Sequence, residues 1–171
     1  TLPVASSSID RPGGYVLTWS DEFDQGNVLN DAWTYDLGEA NFGGSNWGNA
    51  ELQYYTSDTA NVRLEGGHLV IQAVAGKPAG VNLQFGNILA TSARVTTDTP
   101  TFYSARGNQP YGYYEIKAQI PCVGGAWPAI WMMGKTGNWP DRGELDIMEW
   151  FGRYFATQPD QVQSGVHTRA G

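Results

Sequence analysis

Three carboxylates lie close together near the end of the chain: Glu144, Asp146 and Glu149, in the run Asp-Arg-Gly-Glu-Leu-Asp-Ile-Met-Glu-Trp-Phe-Gly over 141–152. They alternate with Leu145, Ile147 and Met148, the pattern of a β-strand with one acidic and one apolar face. A period of two groups Glu144 with Asp146 but sends Glu149 to the opposite side. One extra residue at Ile147-Met148, a β-bulge, returns Glu149 to the acidic face, and bulges occur beside active sites because they re-aim a side chain. Crowded carboxylates raise one another's pKa, so all three cannot ionise freely at neutral pH. One glutamate can then stay ionised as a nucleophile while the other keeps its proton as a general acid, the division of labour that glycoside hydrolysis requires. A calcium site is the competing reading, since clustered carboxylate oxygens suit that ion. Its ligands usually come from irregular loops, however, and not from an apolar-backed strand.

Residues able to hold a sugar surround this motif in the sequence. Trp127, Ala129, Trp131 and Met133 share a face of the run just before it. An aromatic stripe is usually core, but two indoles next to an acidic strand suit cleft walls that stack on sugar rings. Trp139 and Trp150 are weaker versions of the same signal, and either can simply pack. In the glycine-rich run 43–49, Trp47 can offer a flat face to a pyranose and Asn49 can bond a hydroxyl, although Asn in such a loop is often only a turn former. Arg94 has a planar fork of donors suited to paired hydroxyls, with a salt bridge to an acidic residue as the alternative. His68 has no second metal-type ligand at useful spacing and reads as a surface histidine.

The run Gly143-Glu144-Leu145-Asp146-Ile147-Met148-Glu149 closely resembles the signature of glycoside hydrolase family 16, in the bulged form Glu-x-Asp-x-x-Glu of its laminarinase-like members. Further matches in the family's order are Trp19-Ser20-Asp21-Glu22-Phe23, Trp47-Gly48-Asn49-Ala50-Glu51-Leu52-Gln53-Tyr54-Tyr55, Ser92-Ala93-Arg94, Tyr111-Gly112-Tyr113-Tyr114-Glu115 and Gly125-Ala126-Trp127-Pro128-Ala129-Ile130-Trp131-Met132-Met133. The resemblance implies a retaining endo-β-1,3-glucanase acting on laminarin-type glucan by double displacement. Glu144 is then the nucleophile, Glu149 the acid and base, Asp146 the residue that steers proton and charge between them, and His167 a support reaching the active centre. Asn49, Trp47, Arg94, Trp127, Trp131 and Trp139 are the substrate-binding candidates. Mixed-linked β-1,3-1,4-glucans and algal galactans are the alternative substrates, and a non-catalytic carbohydrate-binding jelly roll is the alternative of another class. No cofactor is needed for the chemistry. Glu22 is a candidate ligand for a structural calcium, as in related bacterial enzymes, with a solvated turn carboxylate as the plainer explanation.

The composition fits these expectations. The chain has 171 residues, 41% of them hydrophobic, with 22 Gly, 9 Pro and 7 Trp, as in one globular domain rich in strands and turns. A formal charge of −7 disfavours nucleic acid as a partner and is easily reconciled with a neutral polysaccharide. Cys122 is the single cysteine and forms no internal disulfide. No hydrophobic run reaches the roughly 18 residues needed to span a membrane, so no membrane partner is expected. An extracellular location follows from the function alone, since a hydrolase of large polysaccharides must meet them outside the cell.

Residues 1–14, with Ser6-Ser7-Ser8 and Pro12-Gly13-Gly14, read as a tail or linker, and 15–171 as the N-terminal portion of one catalytic domain. Strands are expected at Tyr15 to Trp19, Glu51 to Thr56, a hairpin from Asn61 to Ala75 about Gly66-Gly67, a pair within Val81 to Thr97, Tyr111 to Pro121, and Trp127 to Met133 before the acidic strand. With no helix signal longer than two turns, the fold class is all-β, a concanavalin-like jelly-roll β-sandwich. The resemblance places further strands after Gly171, so the domain is expected to be incomplete at its C-terminus and completed by a separate chain or by strand exchange with a second copy.

Overall fold

The computed structural model describes residues 12–41, 44–84, 87–106 and 111–170. The chain forms two compact units, Thr1–Tyr113 and Tyr114–Gly171. Most of the expected tail, and Gly43 of the glycine-rich loop, lie outside the described residues. Among those residues no helix is long and apolar enough to cross a membrane.

In the first unit, short strands pair in several small sheets. In chain order these are β1 (Thr34–Asp36), β2 (Ala40–Asn41), β3 (Gly44–Ser45), β4 (Gln53–Tyr55), β5 (Val62–Leu64), β6 (Leu69–Ile71), β7 (Val74–Ala75), β8 (Ala90–Ser92) and β9 (Arg94–Thr96), followed by one helix, α1 (Pro100–Arg106). β8 lies between β4, which it joins in parallel, and β7, which it joins antiparallel; β1 pairs with β9 and β2 with β3. The expected hairpin forms from β5 and β6, with Val62 opposite Ile71 and Leu64 opposite Leu69. Its turn is tight because Gly66 and Gly67 both take positive φ, letting Glu65 and His68 exchange backbone hydrogen bonds of 2.9 and 3.1 Å. Val62 and Leu64 are buried, as is Ile88. The strand pair expected within Val81 to Thr97 appears as β8 and β9, but each joins a different sheet.

Two expected strands are absent. Residues 15–19 and 111–121 make no ladder pairing and remain largely exposed. Alternation of apolar and polar residues prepares a segment for a sheet, but the backbone becomes a strand only when a neighbour accepts its hydrogen bonds. Helix α1 is a further departure from the expected pattern. Thr99 caps it, its hydroxyl accepting the Phe102 N–H at 3.1 Å, and Pro100 takes the first helical position, where its missing N–H costs nothing. Phe102, buried on α1, meets Trp19 edge-to-face at 5.0 Å, so Trp19 enters the core as a packing residue without strand pairing.

In the second unit, β10 (Ala129–Met133), β11 (Glu144–Glu149) and β12 (Gln163–His167) form an antiparallel sheet with β11 in the middle. The loop from β10 to β11 closes on itself: Gly134 N–H donates to the Gly143 carbonyl at 3.0 Å and Arg142 N–H to the Asn138 carbonyl at 2.9 Å. Only glycine fits at 134, where a Cβ would lie 1.9 Å from the Arg142 carbonyl oxygen. Arg169, just after β12, pairs through two guanidinium nitrogens with Asp141 in this loop. Trp150, next to β11, is buried and donates its indole N–H to the Pro159 carbonyl at 2.9 Å. The apolar side of β11 differs from expectation: Leu145 and its cross-strand partner Val166 are exposed and do not sit on a core.

Asn61 ties the first unit together. It is 2% exposed, and its amide donates to the Gln72 carbonyl at 2.9 Å and the Thr91 hydroxyl at 3.1 Å while accepting from the Thr56 hydroxyl at 2.6 Å. It thus joins the hairpin to β8. Removing a partner from a buried polar group costs about 1–3 kcal/mol, so Asn61→Ala is expected to lower the unfolding free energy by about 2–4 kcal/mol. Urea denaturation measures this, and a loss under about 1 kcal/mol would contradict the bridging role.

Candidate active site

The bulge expected in the acidic strand is present. Asp146 lies opposite Trp131 of β10 and Met148 opposite Ile130, which leaves Ile147 as the extra residue. On the other side, Asp146 pairs with Gly165 and Glu149 with Gln163, so both neighbours of β11 register the same insertion. Cross-strand partners share a face of a sheet. Three rows therefore line up across it: Met133, Glu144 and His167; Trp131, Asp146 and Gly165; and Ala129, Glu149 and Gln163. All three carboxylates lie on one face, together with Trp131 and His167.

Each carboxylate has its own donor. The Trp139 indole N–H donates to Glu144 Oε2 at 2.6 Å, and the Trp127 indole N–H donates to Glu149 Oε1 at 3.0 Å. Between them, Asp146 Oδ2 lies 2.9 Å from His167 Nε2. Asp146 is 4% exposed whereas the His167 side chain is 48% exposed, so the pair runs from the interior of the sheet to solvent. The glycine opposite Asp146 makes room for it: a Cβ at Gly165 would sit 3.3 Å from Asp146 Oδ2. Trp139 also lies beside the His167 ring at 6.0 Å, and Trp127 beside Phe151 at 5.2 Å. Trp127 and Trp139 remain exposed, so spending their N–H groups on glutamates leaves ring surface available. The loop closed at Gly134 and Gly143 presents Trp139.

Burial is the largest influence on Glu144 and raises its pKa above the ordinary value, an effect reinforced by the negative charge of Asp146. The Trp139 hydrogen bond and His167 pull in the opposite direction. The expected division of roles leaves Glu144 ionised. Burial works against that state, and the indole and imidazole donors work for it.

Asn49, Trp47 and Arg94 belong to the first unit and form a cluster there. Arg94 Nε donates to Asp36 Oδ2 at 2.9 Å, the salt bridge weighed as an alternative for it, while its guanidinium lies 4.5 Å from the centre of the Trp47 ring. Tyr55 flanks the same indole at 5.2 Å, and Trp47 donates its N–H to the Gly38 carbonyl at 3.3 Å. Asn49 Nδ2 donates to Glu51 Oε1 at 3.1 Å. The loop is held in an uncommon shape, with Asn46, Trp47 and Ala50 all at φ between 50° and 56°. Asn46 pins it by donating to the Glu51 carbonyl at 2.8 Å.

Sequence reasoning passes over Glu51, whose carboxylate accepts from Asn49, Gln53 and Tyr55. The available signal is the spacing of 51, 53 and 55, which puts three polar side chains on one face of an extended segment. Burial and the neighbouring Glu51 charge raise the Tyr55 phenol well above its usual range. Glu22 is exposed, and no group of three or more His, Cys, Asp or Glu side chains able to hold a metal ion occurs among the described residues.

Comparison with known proteins agrees with the motif. Residues 115–171 match the model of the XgeA-like catalytic domain of glycoside hydrolase family 16. A β-glucanase of Rhodothermus marinus is 38% identical over 98% of this chain and 53% of its own length. A glucan endo-1,3-β-glucosidase of Cryptopygus antarcticus is 39% identical over 91% of this chain and 52% of its own. Among solved structures, the family 16 enzyme SCLam, a non-specific endo-β-1,3(4)-glucanase, superposes with a TM-score of 0.75 at 35% identity, covering 93% of this chain and 55% of that one. The chain spans about half the length of the curated relatives it matches. Its fold class is the all-β jelly roll of these glucanases. With its bulged Glu-x-Asp-x-x-Glu strand and these relatives together, the chain belongs to glycoside hydrolase family 16.

Proposed function

We propose that the protein is an endo-acting, retaining β-1,3-glucanase whose reacting groups lie on β11. The observation that carries this reading is the bulge, which sets Glu144 and Glu149 on one face with a donor on each. In the first step a Glu144 oxygen attacks the anomeric carbon while Glu149 gives its proton to the departing glycosidic oxygen, leaving a covalent glycosyl-enzyme. In the second, Glu149 takes a proton from water as that water attacks the same carbon and releases Glu144. Asp146, held by His167, stands between the two glutamates and steers charge and proton. The indole faces of Trp127, Trp131 and Trp139 flank the sugars beside β11; Asn49, Trp47 and Arg94 are the substrate-binding residues of the first unit, and the place of action is extracellular. Neither step uses a cofactor.

The relatives described as β-glucanase and endo-1,3-β-glucosidase support a β-glucan substrate. Action on mixed-linked β-1,3-1,4-glucan is the second reading, favoured by the likeness to a non-specific endo-β-1,3(4)-glucanase. Initial rates on laminarin, lichenan, agarose and κ-carrageenan test the choice. Laminarin is expected to be fastest, with lichenan next, and a clear preference for either algal galactan would overturn the assignment.

Glu144→Gln is expected to abolish hydrolysis while leaving oligosaccharide affinity within about tenfold, since a neutral isostere removes the nucleophile but keeps the shape of the cleft. Proton NMR of the wild-type reaction is expected to show the β-anomer first. An α-anomer would exclude retention, and a wild-type protein that binds β-glucan without releasing reducing sugar would make it a binding module.

The pH dependence follows from Glu144. Its reactive form is the carboxylate, its pKa is raised, and activity is therefore lost as pH falls through a value above that of an ordinary glutamate. Trp139→Phe keeps a ring but removes the N–H that favours the charged form, so the acid limb of kcat/KM is expected to move to higher pH. The loss is greater on the acid side than near neutrality. An acid limb that stays in place while activity falls equally at all pH values would assign Trp139 to stacking alone.

A further inference from the structure

The polar cluster around Glu51 has no part in the reaction steps, and its donors and acceptors are arranged in one direction. Glu51 Oε1 accepts from Asn49 Nδ2 at 3.1 Å, and Oε2 accepts from Gln53 Nε2 and, at 2.9 Å, from the Tyr55 hydroxyl. An ionised carboxylate can only accept, so each amide must turn its NH2 toward Glu51 and its oxygen away. Tyr55 is pressed into the same role, because burial and the Glu51 charge keep its phenol protonated and donating. Among the described residues nothing donates to Asn49 Oδ1 or Gln53 Oε1. The left-handed backbone at Asn46, Trp47 and Ala50, pinned by the Asn46 amide on the Glu51 carbonyl, holds Asn49 two residues ahead of this carboxylate.

We propose that Glu51 is a positioning residue for substrate binding, locking Asn49 and Gln53 so that their amide oxygens accept hydrogen bonds from sugar hydroxyls of a neutral β-glucan. The Trp47 ring, steadied by the Arg94 guanidinium at 4.5 Å and by the tilted Tyr55 ring at 5.2 Å, supplies the adjoining apolar surface for the sugar C–H groups. Glu51 itself touches no sugar. It acts by excluding the flipped amide orientation, which would offer donors where the site offers acceptors. The inference rests on the β-glucan reading above and adds to it a residue and a polarity.

The test uses the intact protein with laminarihexaose, measuring affinity by calorimetry and turnover by reducing-sugar release. Glu51→Gln places an amide where three donors converge, so one neighbouring amide must turn around. KM and Kd are expected to rise about tenfold, the loss of roughly one good hydrogen bond, with kcat within about twofold. The Tyr55 phenol is expected to titrate at lower pH in ultraviolet absorption, because a charge that raised its pKa is gone. Combining Glu51→Gln with Asn49→Asp exchanges donor for acceptor across the pair: the amide introduced at position 51 would donate to the new carboxylate, whose other oxygen still faces the sugar. This double variant is expected to recover most of the lost affinity, which a merely structural Glu51 would not allow. If Glu51→Gln does not fold, Asn49→Ala on the exposed loop decides, with the same rise in KM expected. Unchanged Kd in Glu51→Gln or in Asn49→Ala, or a double variant no better than the single, would overturn the proposal. A wild-type protein that neither binds nor cleaves laminarihexaose would instead overturn the β-glucan reading itself.

Discussion

A strand held on both sides can absorb an extra residue only if both neighbours accommodate it. β11 is such a strand, and the insertion at Ile147 shifts its register against β10 and against β12 at the same level. Without it, Glu149 would point away from Glu144, and the sheet would carry two carboxylates on one side and one on the other. The rest of the second unit follows from that requirement. Trp131 and Gly165 flank Asp146 at the bulge, one large and one with no side chain, and the buried carboxylate between them takes its hydrogen bond from His167.

Gathering negative charge on one face carries a desolvation and repulsion cost that donors must offset. The second unit meets it with one donor per carboxylate, indole N–H on each glutamate and imidazole on the aspartate. Indole serves well here because it donates, carries no charge of its own and leaves a flat apolar surface beside the bond. In the first unit Glu51 is treated differently, with amide and phenol donors converging on a single carboxylate. The three carboxylates of β11 each take one donor from a residue outside that strand, whereas three donors converge on Glu51 alone.

Much of the second unit is legible in the sequence because its information is local. The spacing of Glu144, Asp146 and Glu149 demands a bulge, and in the first unit Gly66-Gly67 between alternating runs demands a tight hairpin. Both form. Residues 15–19 and 111–121 alternate just as cleanly, yet neither pairs, because periodicity describes faces and says nothing about whether a neighbouring backbone is available. Helix α1 escapes a reading by period for the opposite reason: Thr99-Pro100 is a capping signal, not a periodic one, and a helix of about two turns leaves little period to find. The type of the tryptophans at 127 and 139 suggests stacking, and only side-chain geometry reveals that their N–H groups meet the glutamates.

The left-handed turn at 46–50 also bears on how this protein can vary. Trp47 and Ala50 occupy a region of backbone space that ordinary side chains enter at a cost of about 1–3 kcal/mol each, and that β-branched residues largely avoid. Glycine enters it freely. At Ala50, then, the range of acceptable residues is narrowed by dihedral angle alone, without any contact needing to be preserved. Drift toward glycine would relax the loop and loosen what it holds, and drift toward valine or isoleucine would break its shape, so this exposed position is less free to change than its exposure suggests.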